Sequence, residues 1–269
     1  MSLFAIFTVL LTLNKRSWIV TEITPQTETV DAELRIGNHS IRFSAQFNNE
    51  TIHLHELLPF FQNITDKVVE IAILEVSENG KRISCRSGCG ACCSQLVPVS
   101  KAEAMTLLDL VESMPDERQA EVRSRFAKSM AVLDETGLLG ELDKAALAHD
   151  KARIKAIGLA YFELNLPCPF LQNQSCSIHP HRPLSCREFL VVSDPAYCAK
   201  PDPAVVENVV LPKRVSSTLY TLSSKDPDMD AGFIPLVKLL ADTASIRIGQ
   251  PTPAPAMEWV NRFLQRLSS

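Results

Sequence analysis

The sequence predicts an α+β protein, mainly helical, with a small N-terminal β-hairpin and a loop-rich cysteine core. Three observations carry that prediction. Residues 32–47 alternate apolar and polar positions around a Gly-Asn turn, later stretches repeat apolar residues at three- and four-residue steps, and all eight cysteines fall in two loop-like segments.

The hairpin comes first. Ala32, Leu34 and Ile36 alternate with polar neighbours, Gly37-Asn38 offers the turn, and Ile41, Phe43, Ala45 and Phe47 alternate again. From His53 to Glu78, Leu54, Leu57, Leu58, Phe61, Ile64, Val68, Ile71, Ala72 and Leu74 recur at helical steps. One helix is expected there, interrupted near Pro59 and ending before Asn79 and Gly80.

Ser100 followed by Glu103 spells a capping box, and Ala104, Leu107, Leu108 and Val111 continue it as an apolar stripe up to Met114. A second helix is expected with Pro115 in its first turn, running through Val122, Phe126, Met130 and Leu133 to Gly137. A third is expected over Lys144 to Leu164, with Ile154, Ile157, Ala160 and Tyr161 on one face, stopped by Pro167 and Pro169. Beyond the cysteines, the pattern predicts an apolar stretch at Val205–Leu211, a helix around Pro235–Thr243 and a Pro-rich linker at Pro251–Pro255. A final amphipathic helix bears Trp259, Val260, Phe263 and Leu267, a stripe read as core packing or a docking face. The organisation this implies is a leader over residues 1–31, a hairpin plus helix over 32–80, a cysteine domain over 81–200 with a helical insert at 100–165, and a C-terminal helical extension over 201–269.

At 269 residues the chain is long enough to bury a substantial core. Its formal charge is −4 and its sequence pI about 5.9, with both signs mixed along the chain, which argues against a basic grip on nucleic acid. The 9 glycines build neither a dinucleotide-binding nor a phosphate-binding loop. The apolar run Leu3–Leu13 stops at Asn14, Lys15 and Arg16, short of the roughly 20 residues that span a bilayer. It lacks the charge order and cleavage site of a secretory signal, so a cytoplasmic protein with no membrane span is expected. A second reading takes the residues before Val20 as an artefact of start-site choice.

Cys85, Cys89, Cys92 and Cys93 fall within nine residues, and Cys168, Cys176, Cys186 and Cys198 follow across the insert. In a cytosolic setting such grouping favours metal ligands over disulfides, because several thiolates must converge on one small volume. In helical projection the first four share a face, although Gly88 and Gly90 disfavour a regular helix. Glycine there would let the backbone approach a cluster and point amides at its sulfurs. Adjacent Cys92 and Cys93 are expected to point apart and to serve different centres. Eight thiolates exceed the four that one closed zinc site takes. Two centres, an iron–sulfur cluster beside a second metal, or one site with spare redox cysteines all stay open, as does simple burial for some of the eight. Arg182 and Arg187 lie near the second set and would lower thiol pKa values and offset thiolate charge. His179 and His181 are read as hydrogen-bonding or surface groups rather than ligands. Four Asn-x-Ser/Thr sequons, at Asn38, Asn49, Asn63 and Asn173, carry no meaning without secretion.

The text Cys85-Arg-Ser-Gly-Cys89-Gly-Ala-Cys92-Cys93, then Cys168-Pro-Phe-Leu, Cys176-Ser-Ile, Arg182-Pro-Leu-Ser-Cys186-Arg and Cys198, resembles the YkgJ-like cysteine-cluster proteins, described as putative zinc- or iron-chelating domains. One departure is His179, where the family pattern carries Tyr after the Ile. The resemblance implies zinc or iron–sulfur binding through the eight cysteines, with the metal undecided and no reaction attached. The centre would then serve structure, electron transfer or sensing. The alternatives are a metal-dependent protein-modifying enzyme, by similarity of the cysteine region to flagellin lysine N-methylases, and a metal carrier. The expected partner is a protein substrate or a redox partner.

Overall fold

The computed structural model describes residues 27–36, 39–48, 50–147, 150–199, 205–225 and 232–268. The run Leu3–Leu13 and the question of residues before Val20 lie outside them. Among the described residues, no helix is long and apolar enough to cross a membrane.

The architecture is α+β and mainly helical, as the periodicity predicts. Strands β1 (Thr27–Ile36) and β2 (His39–Asn48) pair antiparallel with Leu34 opposite Ile41 and Val30 opposite Ala45. Since side chains alternate along a strand, this register puts Val30, Leu34, Ile41, Ala45 and Phe47 on one buried face. Strand β3 (Thr51–Ile52) follows, and a 3₁₀ turn over Leu54–Leu57 leads into helix α1 (Leu58–Glu78). Pro59 does not interrupt this helix: it sits in the first turn, where a missing N–H costs no intrahelical bond.

Strand β4 (Pro98–Ser100) enters α2 (Lys101–Glu112) through the capping box. The Ser100 Oγ accepts from the Glu103 N–H at 3.0 Å, and Glu103 Oε2 accepts from the Ser100 N–H at 2.8 Å. Helix α3 (Asp116–Glu135) begins one residue after Pro115. The single helix expected over 144–164 is two, α4 (Leu138–Leu147) and α5 (Lys151–Glu163). Asp150, in extended backbone, accepts from the Arg153 N–H at 2.9 Å and so starts a new helix.

Strands β5 (Leu171–Gln172) and β6 (Ser175–Cys176) form a tight hairpin, and the short helix α6 (Leu184–Glu188) follows. Helix α7 (Val215–Ser223) was not predicted. Strand β7 (Phe233–Pro235) pairs with β4, and a 3₁₀ turn over Leu236–Lys238 precedes α8 (Thr243–Ile248). The helix expected at Pro235–Thr243 is therefore displaced, because the ladder with β4 claims Pro235 and the Leu236 N–H donates to the Val97 carbonyl at 2.8 Å. The Pro-rich linker is no free tether. Its Ala254–Pro255 forms β8 against β3, and Pro251 and Ala254 are buried. Helix α9 (Ala256–Ser268) closes the chain.

Two main cores result. In one, the hairpin face packs on α1, α7 and α9, where Phe60 meets Phe43, Phe47 and Phe263 edge-on at 5.6–5.9 Å between centroids. Trp259, Val260, Phe263 and Leu267 are all buried there, so the amphipathic stripe is core packing. In the other, α2 and α3 pack with Phe170, Ile178, Leu236, Leu239 and Ile246, and Cys168 and Cys176 lean against this cluster. The cysteine segments thus rest on a formed hydrophobic base.

Candidate metal centre

The first cysteine segment is a series of turns rather than a helix. The Cys89 N–H donates to the Arg86 carbonyl, Cys93 to Gly90 and Gln95 to Cys92, each spanning three residues. Ser84, beside Cys85, anchors the entry: its N–H donates to the Val191 carbonyl at 2.9 Å and its Oγ to Val192 at 3.0 Å.

The second segment meets it directly. The Cys168 N–H donates to the Cys93 carbonyl at 2.6 Å, and the Leu171 N–H returns to the Cys168 carbonyl at 2.8 Å. In the β5–β6 hairpin Cys176 stands opposite Leu171, across a turn whose residues Asn173 and Gln174 both take positive φ, 50° and 59°. Gly90 has a use other than presenting amides to sulfur. A Cβ there would come within 2.7 Å of Leu171 Cδ1 and 3.0 Å of the Gln174 carbonyl oxygen, so glycine lets the two segments touch. Cys186 occupies the middle of α6, and Cys198 is buried in a 3₁₀ turn over Pro195–Ala199.

All eight cysteines are free thiols, seven of them half-buried and Cys198 buried. A hydrogen bond between the adjacent Cys92 and Cys93 thiols lowers the Cys92 pKa and raises that of Cys93. Burial raises Cys85, Cys176 and Cys186, pushes Cys168 up to about 12 and Cys198 to about 11. A Cys92 thiolate adds to that rise at Cys85, Cys93, Cys168, Cys176, Cys186 and Cys198, so its charge is felt in both segments. The Arg182 guanidinium acts the other way on Cys85, Cys92, Cys176 and Cys186. His179 and His181 stand exposed.

Among the described residues, no three His, Cys, Asp or Glu side chains are gathered tightly enough to hold a metal ion. The fit to zinc or iron is one of donor chemistry. Cys85, Cys93, Cys168, Cys176, Cys186 and Cys198, whose thiols burial and neighbouring charge favour in the neutral form, are groups that a bound cation would deprotonate and draw in. Arg182 Nε is buried without a hydrogen-bond partner, a donor left over on the side of the thiols it influences.

Several supporting residues escaped the sequence reading. Arg125 on α3 donates to the Leu171 carbonyl at 2.7 Å and Arg118 to Ser177 Oγ at 2.7 Å, which fixes the β5–β6 hairpin to the helical insert. Arg187 was legible beside the second cysteine set, but its partner was not: it reaches both Asp66 oxygens on α1 at 3.0 Å. Glu188 is buried and caps α7 through the Ser216 N–H and hydroxyl. None of these has a local signal, since each partner lies in a distant element.

Fold and site together define a mainly helical α+β protein with a cysteine-cluster core. Residues 84–203 match the model of the CxxCxxCC family, described as a "putative zinc- or iron-chelating domain". No curated protein and no solved structure matches the chain. The match supports metal binding in general, zinc and iron being the metals that the family's description names.

Proposed function

We propose that Cys85, Cys89, Cys92, Cys93, Cys168, Cys176, Cys186 and Cys198 supply the ligands for resident zinc or iron–sulfur, at one centre or two, which closes the core between the two cysteine segments and serves structure, electron transfer or sensing. The observation that carries this reading is the junction of the segments, where the Cys168 N–H meets the Cys93 carbonyl at 2.6 Å. When bound, the metal would supply a focus of positive charge; the chain supplies thiolates, the Arg182 counter-charge and a packed base under Cys168 and Cys176.

Elemental analysis and a visible spectrum on protein purified without oxygen test the proposal. Bound zinc with a colourless solution identifies a zinc site, and iron with acid-labile sulfide and visible absorption identifies a cluster. Protein free of zinc, iron and sulfide, which takes up none on reconstitution, overturns it.

A further inference from the structure

Helix α6 is only five residues long, yet four of them are tied to four different elements. The Leu184 N–H donates to Glu103 Oε1 on α2 at 2.6 Å, and Ser185 Oγ donates to the Pro98 carbonyl on β4 at 2.8 Å. Arg187 holds Asp66 on α1, and Glu188 Oε1 accepts from the Ser216 N–H of α7 at 3.0 Å. Cys186 is the remaining residue, at the centre of these tethers.

Glu103 is the least expected of them. A capping box needs only its bond back to Ser100, which Oε2 makes; Oε1 is spent on a helix 81 residues away in sequence. Both oxygens accept backbone N–H groups, and the residue is 1 % exposed. A carboxylate taken so fully out of water is costly unless every acceptor is used, and its bonds are charge-assisted and directional. A neutral apolar contact would hold α6 against α2 without fixing its axial position. Two N–H bonds to one rigid carboxylate do fix it.

We infer that Glu103 is a positioning residue for Cys186, transmitting the placement of the helical insert to the second cysteine segment. The inference rests on the proposed function for what Cys186 then binds, but the mount itself does not require a metal. Glu103→Gln puts an NH₂ against one of two N–H donors and loosens one tether. Ser100→Ala is the control, because it removes the hydroxyl cap of α2 while leaving the Leu184 bond intact.

The experiment alkylates metal-stripped wild type, E103Q and S100A, reads each cysteine by peptide mass spectrometry, and titrates each protein with Co²⁺. In E103Q, Cys186 labels several-fold faster while Cys198 keeps its rate, and Co²⁺ affinity falls by about 10- to 100-fold with an altered sulfur-to-metal absorption band. S100A leaves both readouts as in the wild type. Equal acceleration at all eight cysteines in E103Q, or no change at Cys186, overturns the inference by reducing Glu103 to a general stabiliser. If E103Q does not fold, Glu103→Asp, which keeps the charge and withdraws it by one methylene, is held to the same outcomes. Selective labelling of Cys186 in a protein whose wild type takes up no Co²⁺ leaves the mount standing and counts against the metal reading alone.

Discussion

The Cys93 carbonyl and the Cys168 N–H, 75 positions apart in sequence, share a 2.6 Å hydrogen bond. The intervening helices return the chain to within one bond of where it left, and α2 and α3 share the core on which Cys168 and Cys176 lean. The cysteine segments therefore meet backbone to backbone, which leaves their side chains free of the task of holding the segments together.

Gly90 is the position most sensitive to that approach. Gly90→Ala would place a Cβ 2.7 Å from Leu171 Cδ1 and 3.0 Å from the Gln174 carbonyl oxygen. The side-chain contact gives way more readily than the backbone one, so a cost of about 1–3 kcal/mol is expected, as for overpacking. Gly88→Ala meets open space but carries the strain of φ +78°, an expected cost of about 1 kcal/mol. Urea unfolding of the two variants checks the order, and only Gly90→Ala should also weaken retention of whichever metal the protein holds, zinc or iron, against a chelator.

Metal removal should loosen the cysteine segments before it loosens the rest. The hairpin, α1 and α9 bury their phenylalanines without help from any cysteine, whereas Cys168 and Cys176 sit at the edge of the second core. A ligand at about 100 times its Kd stabilises by about 2.7 kcal/mol. Hydrogen exchange of metal-free against metal-loaded protein should show lost protection at residues 84–95 and 168–198, with little change in α1 and α9. Uniform loss across the chain would contradict this division.

What the sequence disclosed and what it withheld divide along a physical line. Ser100 and Glu103 announce a helix start through their three-residue spacing, and Trp259, Val260, Phe263 and Leu267 announce a buried face through period alone. Both are local facts. Helix α7 is rich in Ser and Thr, poor helix formers, and its first turn is capped by Glu188 from 28 residues upstream. The Pro251–Pro255 stretch gains its order from pairing with Thr51–Ile52, and a linker composition cannot report a partner two hundred residues away. The grouping of the cysteines with Arg182 near them is read directly from spacing, whereas the contacts of Gly90 and Arg125 with Leu171, and of Glu103 with Leu184, join distant elements and leave no local signal.

Arg182 gives a charge test that is separate from packing. Its Nε has no hydrogen-bond partner to lose, so Arg182→Gln should change urea stability little, by well under about 1 kcal/mol. Its charge favours thiolate at Cys85, Cys92, Cys176 and Cys186. Alkylation of the metal-free variant at pH 8 should therefore slow at those four cysteines, and unchanged rates would remove Arg182 from the electrostatics of the site.

His55, in the 3₁₀ turn that leads into α1, contributes to the response of the fold to acid. Burial holds its imidazole below the usual 6.5, with Glu56 and Asp109 opposing the shift and His53, stacked at 5.4 Å, adding to it. Its Nδ1 is buried without a partner. The unfolded chain therefore takes up the proton more readily than the folded one. Stability from this group is complete above pH 6.5 and is lost as the pH falls through the lowered folded value. His55→Phe keeps the ring packing and removes the titration, so its urea midpoint should fall less than that of the wild type between pH 7.5 and pH 5. Parallel midpoints for the two proteins over that interval would show that the acid response arises elsewhere, in which case the orphaned Nδ1 is a packing feature with no share in pH stability.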